Sequence, residues 1–257
     1  MAEMLDEPAP AALNARVRDL PWYTPFSWLK LGMGDMRATP TGALFYGIAF
    51  VAMGWSLRAL FGYAPEHTMT LITGFLLAGP FFCLGLYEIS RRHETVDRVK
   101  LLPTLTAWRV NPSGIGLYSL LLALLVAGWM RVSVVIIALF FTDSMPSLAG
   151  LLSAEFLTPE NITFLCIWAT AGIGFSLLVF SLSVVSIPVM MDRNADTLNA
   201  MFASVRVCLA NPTCMLVWAL LIVVLIGVGF ALWGIGLALT APLVGHATWH
   251  AYRALIE

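Results

Sequence analysis

The sequence predicts an all-α membrane protein with six transmembrane helices, arranged as three parallel two-span repeats that each begin with an amphipathic cytoplasmic interfacial helix. Three observations lead to this prediction. Of the 257 residues, 60% are apolar and only 11% are charged, whereas soluble domains carry about 25% charged residues. The apolar residues occur in blocks long enough to cross a hydrocarbon core, which takes about 20 residues of helix. A Thr-Pro or Asn-Pro pair followed by Ser or Thr also recurs at the start of three apolar blocks.

Residues 1–15 are predicted to form a disordered tail, and residues 16–257 a single transmembrane domain. The tail carries Glu3, Asp6 and Glu7, and it lacks the basic start and apolar centre of a secretory signal. The three repeat units are expected at about residues 26–98, 99–196 and 197–257. The four cysteines show no spacing typical of a metal site or a disulfide framework.

Six spans can be placed on the apolar blocks. The last block is too long for one span and is expected to form a hairpin that turns near Trp233 and Gly234. The part of the middle unit at about residues 131–161 is an insertion, and its apolar stretches are expected to lie along the outer interface. The spans are expected at residues 41–60, 68–90, 113 to between 130 and 141, 162–190, and two within 213–249.

Basic residues set the predicted orientation. All of the 14 Lys and Arg residues except Arg58 and Arg131 fall on one side of these spans. Because positively charged loops stay in the cytoplasm, both termini are predicted to be cytoplasmic.

The repeated Pro pairs predict three elbows at Pro40, Pro112 and Pro212. Proline disfavours helix in the residue before it, yet it is well tolerated at the first position of a helix. The preceding Thr39, Asn111 and Asn211 can cap the next helix. Apolar residues eleven, seven and four positions upstream of each proline form a helical stripe, as expected for an interfacial helix. These residues are Leu29, Met33 and Met36, then Leu101, Leu105 and Trp108, then Met201, Val205 and Cys208.

Polar groups near the cytoplasmic ends of the spans are the candidate site residues. Glu88 precedes Arg92 by four residues, the favourable order for a helical ion pair. A structural pair or cap is favoured over a binding or proton-handling role, although ionisable groups at membrane depth are often functional. His246 and His250 share one helical face, which suits a metal only if further ligands exist. A haem or copper oxidase core would need histidines on several spans. No catalytic residue, cofactor or metal is therefore expected.

Arg58 and Arg131 each follow a Gly-Trp pair at nearly the same distance from an elbow proline. An outer interfacial belt of tryptophan and arginine is the preferred interpretation. The alternative is a pair of basic groups that face a cavity or an acidic partner.

The stretch from Trp28 to Glu94 resembles a bacterial integral-membrane family of unknown function. Its most specific part is the run Gly85-Leu86-Tyr87-Glu88-Ile89-Ser90-Arg91-Arg92, after Ala78-Gly79-Pro80. Some members of that family carry the label putative cytochrome c oxidase subunit I. The resemblance implies the bacterial inner membrane and an association with respiratory-chain complexes, and it supplies no active-site residues.

Together these observations predict a non-enzymatic, multi-pass inner-membrane protein that contacts lipids and does not bind nucleic acid. An accessory or assembly subunit of a respiratory complex such as cytochrome c oxidase is the leading hypothesis. The alternative is a transporter or channel for a small solute through a cavity between the three repeats. A third hypothesis, a lipid-binding scaffold, requires the interfacial positions Trp28, Met33 and Trp108 to stay apolar.

Overall fold

The computed structural model describes residues 16–63, 83–96, 99–141 and 158–257. These residues are helical and contain no strand; one isolated antiparallel bridge joins Val17 to Ile256. The predicted N-terminal tail, most of the second predicted span and residues 142–157 of the predicted insertion lie outside the described residues. The helices are α1 Thr24–Ala38, α2 Pro40–Tyr63, α3 at residues 83–93, α4 Leu101–Thr104, α5 Pro112–Phe140, α6 Pro159–Ser183, α7 Ser186–Arg193, α8 Thr197–Ala210, α9 Pro212–Ala231 and α10 Leu237–Leu255, with a 3-10 turn at Ala107–Val110.

Among the described residues, three stretches are long and apolar enough to cross a membrane: Pro112–Phe140, Asn161–Arg193 and Pro212–Ala231. The helix α5 extends to Phe140, near the far limit of the range predicted for the end of the third span. Residues 131–140 therefore continue this helix, and they do not belong to the predicted insertion along the outer interface.

Each elbow proline begins a helix, and the residue before it has nearly the same backbone conformation in all three places. The φ and ψ angles are −127° and 68° at Thr39, −146° and 72° at Asn111, and −127° and 53° at Asn211. In each case the carbonyl of this residue accepts the N–H of the residue four positions on, at 2.9 to 3.1 Å. The elbows therefore share one geometry, as expected from the steric rule for residues before proline.

The capping roles of the two elbow asparagines differ. Asn111 Oδ1 accepts the N–H of Gly114 at 3.0 Å, which caps α5 as predicted. Asn211 makes no cap to α9. Its side chain instead accepts from Leu20 N at 2.7 Å and donates to Arg18 O at 2.9 Å, so it holds the segment that precedes α1.

The fourth predicted span is not one continuous helix. It breaks at Val184 and Val185, between α6 and α7. Pro188 explains the break, because proline has no N–H and its ring clashes with the carbonyl four residues earlier, here that of Val184. Two contacts join the break to the next helix: Val185 N donates to Ser204 Oγ at 3.5 Å, and Ser186 Oγ, which donates to Leu182 O at 2.6 Å, also lies 3.2 Å from Ala200 O.

Proline also lies inside α10, and there the helix continues. Pro242 leaves the carbonyl of Ala238 without its helical donor. That carbonyl approaches α2 so closely that a Cβ on Gly47 would lie 2.3 Å from its oxygen. At α1, a Cβ on Gly32 would lie 2.8 Å from Ala247 N. The two glycines thus let α2 and α1 pack directly on the backbone of α10.

The helix α10 is the centre of the described bundle. It contacts α1, α2 and α9, and most of its side chains are buried. The largest core cluster joins it to α1 through Trp28 and to α9 through Trp218, whose rings meet edge to face at 5.6 Å. Trp28 is therefore a core residue, which removes it from the predicted lipid-facing set, whereas Trp108 is 43% exposed.

The helices α1 and α8, which the sequence predicts to be interfacial, bury a line of residues next to the predicted stripes. In α1 the buried positions are Pro25, Trp28, Gly32 and Met36. In α8 they include Ala200, Ser204 and Val207. In α8 this line consists mostly of small residues. In both helices it lies one position before most of the predicted stripe residues. The protein-facing side and the stripe are therefore adjacent faces of the same helix.

The hairpin turn lies where the sequence predicts it. Trp233 and Gly234 both have positive φ, at 59° and 77°, and they separate α9 from α10. Trp55 of α2 donates its indole N–H to Trp233 O at 2.9 Å. This contact fixes the far end of α2 to the turn.

Candidate polar site at the elbow end of the bundle

A connected polar cluster lies where α1, α3 and α10 meet. Ser90 of α3 donates its hydroxyl to Asp35 Oδ2 of α1 at 2.6 Å, and its oxygen lies 2.8 Å from His246 Nδ1 of α10. His250 Nε2 lies 2.9 Å from the same carboxylate oxygen. His246 is fully buried, while the side chains of Asp35 and His250 are 14% and 18% exposed. Thr39 of the first elbow also forms a hydrogen bond with His93 of α3, with 2.6 Å between Oγ1 and Nε2.

The chemistry of the carboxylate fixes the direction of each hydrogen bond. Ionised Asp35 can only accept, so Ser90 and His250 Nε2 both donate to it. Because the single hydroxyl proton of Ser90 points to Asp35, its oxygen must accept from His246 Nδ1–H. The neutral His246 ring then carries its lone pair on Nε2. The cluster is thus a chain that runs from His246 through Ser90 to Asp35, with His250 as a second donor.

His246 Nε2 is buried and has no hydrogen-bond partner among the described residues. A buried polar atom without a partner costs free energy and calls for an explanation, such as a bound water or ligand. Protonation at this atom would replace an unpaired acceptor with an unpaired donor. It would therefore leave the position unsatisfied.

The order of the groups differs from that of a nucleophilic triad. In a triad the histidine stands between the carboxylate and the serine and takes the hydroxyl proton. Here Ser90 stands between Asp35 and His246, and its proton already points to the carboxylate. This arrangement holds three helices together, and its order of groups is not that of a nucleophilic triad.

Glu88 forms the predicted pair with Arg92 and a second pair with Arg91. The distances are 2.6 Å from Arg92 Nε to Oε1 and 2.8 Å from Arg91 Nε to Oε2. The carboxylate side chain is 2% exposed, whereas the arginines are 33% and 36% exposed. Both carboxylate oxygens therefore face guanidinium groups that still reach solvent.

A second ionic network joins the ends of α7 and α10 to the segment after α3. Glu94 accepts from Trp249 Nε1 at 2.8 Å and pairs with Arg253. Arg253 also lies 3.2 Å from Asp192, which accepts the hydroxyl of Tyr252 at 2.6 Å. The polar end of the bundle is therefore fixed by two neighbouring networks.

The pKa values of two interfacial carboxyl groups follow from these contacts. Partial burial alone would raise the pKa of Asp35, but the hydrogen bonds from His250 and Ser90 outweigh it and lower the pKa. Burial alone would likewise raise the pKa of Glu94, but the hydrogen bonds from Arg253 and Trp249 lower this pKa below its ordinary value. Both groups are therefore held in the charged form.

The structure places the other predicted residues as follows. Pro40, Pro112 and Pro212 start α2, α5 and α9. Arg131 is exposed on α5, while the side chain of Arg58 lies outside the described residues. Trp129, beside Arg131, contacts Trp168 and Phe175 of α6 at centroid distances of 5.5 and 5.6 Å. Within the described ranges, no group of three or more His, Cys, Asp or Glu side chains could hold a metal ion.

Sequence reasoning missed Asp35 and Ser90, which connect the two predicted histidines. Asp35 is 215 positions from His250 and 55 from Ser90, so no local spacing links them. One signal was available: Asp35 is a carboxylate in a helix whose other charges are basic, and it lies four residues before an elbow.

Comparison with known protein families gives a match to part of the chain. The family described as "Predicted integral membrane protein (DUF2189)" matches residues 68–192. The match supports an integral membrane protein of a family of unknown function. No curated protein and no solved structure matches the chain significantly.

Proposed function

We propose that the chain is a non-catalytic subunit of the bacterial inner membrane, and that it acts by docking other membrane subunits through its apolar helix faces. The partner class that we propose is a respiratory complex such as cytochrome c oxidase, with this chain as an accessory or assembly subunit. In this proposal the chain crosses the membrane six times in three two-span units, with both termini in the cytoplasm.

The observation that carries the proposal is the large apolar surface that the chain leaves uncovered. In the most apolar windows of α5 and α9, only 22% of the residues are buried within the chain, and in that of Asn161–Arg193 only 39%. Side chains such as Leu124, Val223 and Leu139 are 61%, 68% and 75% exposed. A bilayer can cover such faces, and so can the helices of another subunit.

Open glycines on these faces favour a protein partner over lipid alone. A Cβ on Gly116 of α5, Gly174 of α6 or Gly227 of α9 would meet nothing within 4 Å. Small residues let helix backbones approach closely, which is the main source of helix association in lipid. Among the residues that the structure describes, nothing packs against these three positions.

The polar groups support a structural rather than a catalytic role. Asp35 and Glu94 each bind side chains from neighbouring helices, and Glu88 binds two arginines of its own helix. Their bonds are directed within the protein, and Ser90 is bonded between Asp35 and His246. Such networks fix the ends of helices and give a unique arrangement.

The three-unit arrangement is supported by geometry at two levels. The three elbows share one backbone conformation. The helices that end the three units, α3, α7 and α10, bring Glu94, Asp192 and Arg253 into one network at the same end of the bundle. An even number of spans per unit accounts for both facts.

Co-purification from native membranes in mild detergent tests the docking role. We expect respiratory-complex subunits to co-migrate with the tagged chain, and Gly174→Leu and Gly227→Leu to release them. Gly34→Leu is the matched control, because Gly34 has equally open surroundings but lies on the interfacial helix α1. A chain that migrates alone, or partners that the two variants retain, would contradict the proposal.

One observation favours the second candidate, a proton-linked transporter of a small solute. His246 Nε2 is a buried acceptor that no described group satisfies. The test uses purified protein in liposomes that contain a pH-sensitive dye. This candidate predicts a proton flux that His246→Phe abolishes. A flux equal to that of empty liposomes would rule out the transporter.

A further inference from the structure

A cleft of about 200 Å³ opens between α2 and the segment 104–108, at the elbow end of the bundle. Tyr46, Leu84, Thr104 and Ala107 form its buried floor, with exposures of 1% to 4%. Phe45, Leu105 and Trp108 form its rim and are 41% to 43% exposed. The cleft thus joins a buried floor to an open apolar edge.

The polar atoms of the floor satisfy each other. Thr104 Oγ1 donates to Leu101 O at 2.7 Å, so it must accept from the hydroxyl of Tyr46, 2.9 Å away. No hydroxyl proton is left to point into the cleft. The floor therefore offers a hydrocarbon surface, and it does not select a polar ligand.

The segment around the cleft has the character of a membrane-interface anchor. Leu102 is 77% exposed and Val110 is 41% exposed, in addition to the rim residues Leu105 and Trp108. The guanidinium of Arg109 lies 5.4 Å from the centroid of the Trp108 ring. A cation therefore stands beside the rim of an apolar cleft, the combination that is typical of membrane-interface segments.

We propose that this cleft is a binding site for one anionic phospholipid, whose acyl chain enters between Phe45, Leu105 and Trp108 and whose phosphate faces Arg109. The apolar walls match a hydrocarbon chain, and the guanidinium complements a negative headgroup. A neutral soluble ligand would find no directed polar group in the floor. The site depends on the chain lying in a membrane and not on the docking role proposed above.

Native mass spectrometry tests the site. The purified full chain is incubated with phosphatidylglycerol or phosphatidylcholine of the same acyl composition, and retained lipids are counted. We expect one retained phosphatidylglycerol for the unaltered chain. Arg109→Gln should weaken its retention by about tenfold, the effect of losing one charge-assisted contact. Arg131→Gln is the control, because it removes an exposed arginine of α5 outside the cleft.

Two further variants separate this site from general lipid contact. Ala107→Phe fills the floor, and Leu105→Gln makes the half-exposed rim polar without altering the core. Both should abolish the retained lipid while the thermal unfolding temperature of Leu105→Gln stays unchanged. Equal retention of both lipids, or retention that survives Arg109→Gln and Leu105→Gln, would show adventitious lipid only and overturn the proposal.

Discussion

At the scale of single residues, Ser90 is the group that connects the polar cluster. Its hydroxyl gives its only proton to Asp35 and accepts one from His246, so it joins α3 to both α1 and α10. Each bond crosses between helices that are far apart in the sequence. The serine therefore acts as a connector, and its removal tests whether the cluster stabilises the bundle.

We expect Ser90→Ala to lower the free energy of unfolding by about 1–3 kcal/mol, because His246 Nδ1–H loses its acceptor in a buried place. Ser181→Ala is the control, since Ser181 is exposed and bonds only to Leu178 O of its own helix. Thermal or denaturant unfolding in detergent measures the difference. Equal stability of the two variants would show that the chain of hydrogen bonds carries no stability.

The Glu88 pairs lead to a second residue-scale prediction. Glu88→Ala leaves Arg91 and Arg92 without their shared carboxylate, and we expect a loss of about 2 kcal/mol, less than the 3–5 kcal/mol of a fully buried pair. The reduction follows from the arginines, which are about one-third exposed.

The exposed pair between Arg18 and Glu257 is the matched control for this measurement. Glu257→Gln should cost less than about 1 kcal/mol, as surface ion pairs do. A loss for Glu88→Ala as small as this would mean that burial of the carboxylate adds nothing.

At the scale of helices, proline and glycine positions determine what could be read from the sequence. The elbows and the hairpin turn were predictable because local steric rules act at Pro40, Pro112, Pro212 and Gly234. The break before Pro188 follows from the same rule, but the continuous apolar sequence around it predicted a single unbroken span. The consequence of Pro242 was not readable, because the carbonyl that it frees meets Gly47, which is distant in the sequence.

The close approach at Gly47 gives an element-scale prediction. Gly47→Ala places a Cβ 2.3 Å from Ala238 O, so α2 and α10 must separate. We expect a loss of several kcal/mol, at the upper end for single substitutions. The same substitution at Gly116, where a Cβ meets nothing within 4 Å, should be neutral or raise stability by up to about 1 kcal/mol.

Unfolding of the two glycine variants under one set of detergent conditions provides the comparison. If both variants behave alike, the contact of α2 with the Ala238 carbonyl is not what holds these helices together.

At the scale of the whole molecule, charge and apolar surface are separated. The elbow end carries the two ionic networks and the pairing of residues 16–18 with residues 255–257. The far end carries exposed Trp55 and Trp233. The distribution of Lys and Arg along the sequence predicted this separation of charge, because the separation depends on many residues together. The identity of the cluster was not predictable, since it depends on the tertiary contacts of Asp35 and Ser90.

In the proposed orientation the elbow end faces the cytoplasm and the Trp233 turn faces the opposite side of the membrane, and labelling of single cysteines tests this orientation. The four native cysteines are replaced by alanine, and cysteine is introduced at exposed Ile235 beside the turn or at exposed Leu198 at the start of α8. A membrane-impermeant maleimide should label Ile235→Cys in intact spheroplasts and Leu198→Cys only after permeabilisation. Labelling of both variants in intact spheroplasts, or the reverse order, would contradict the account.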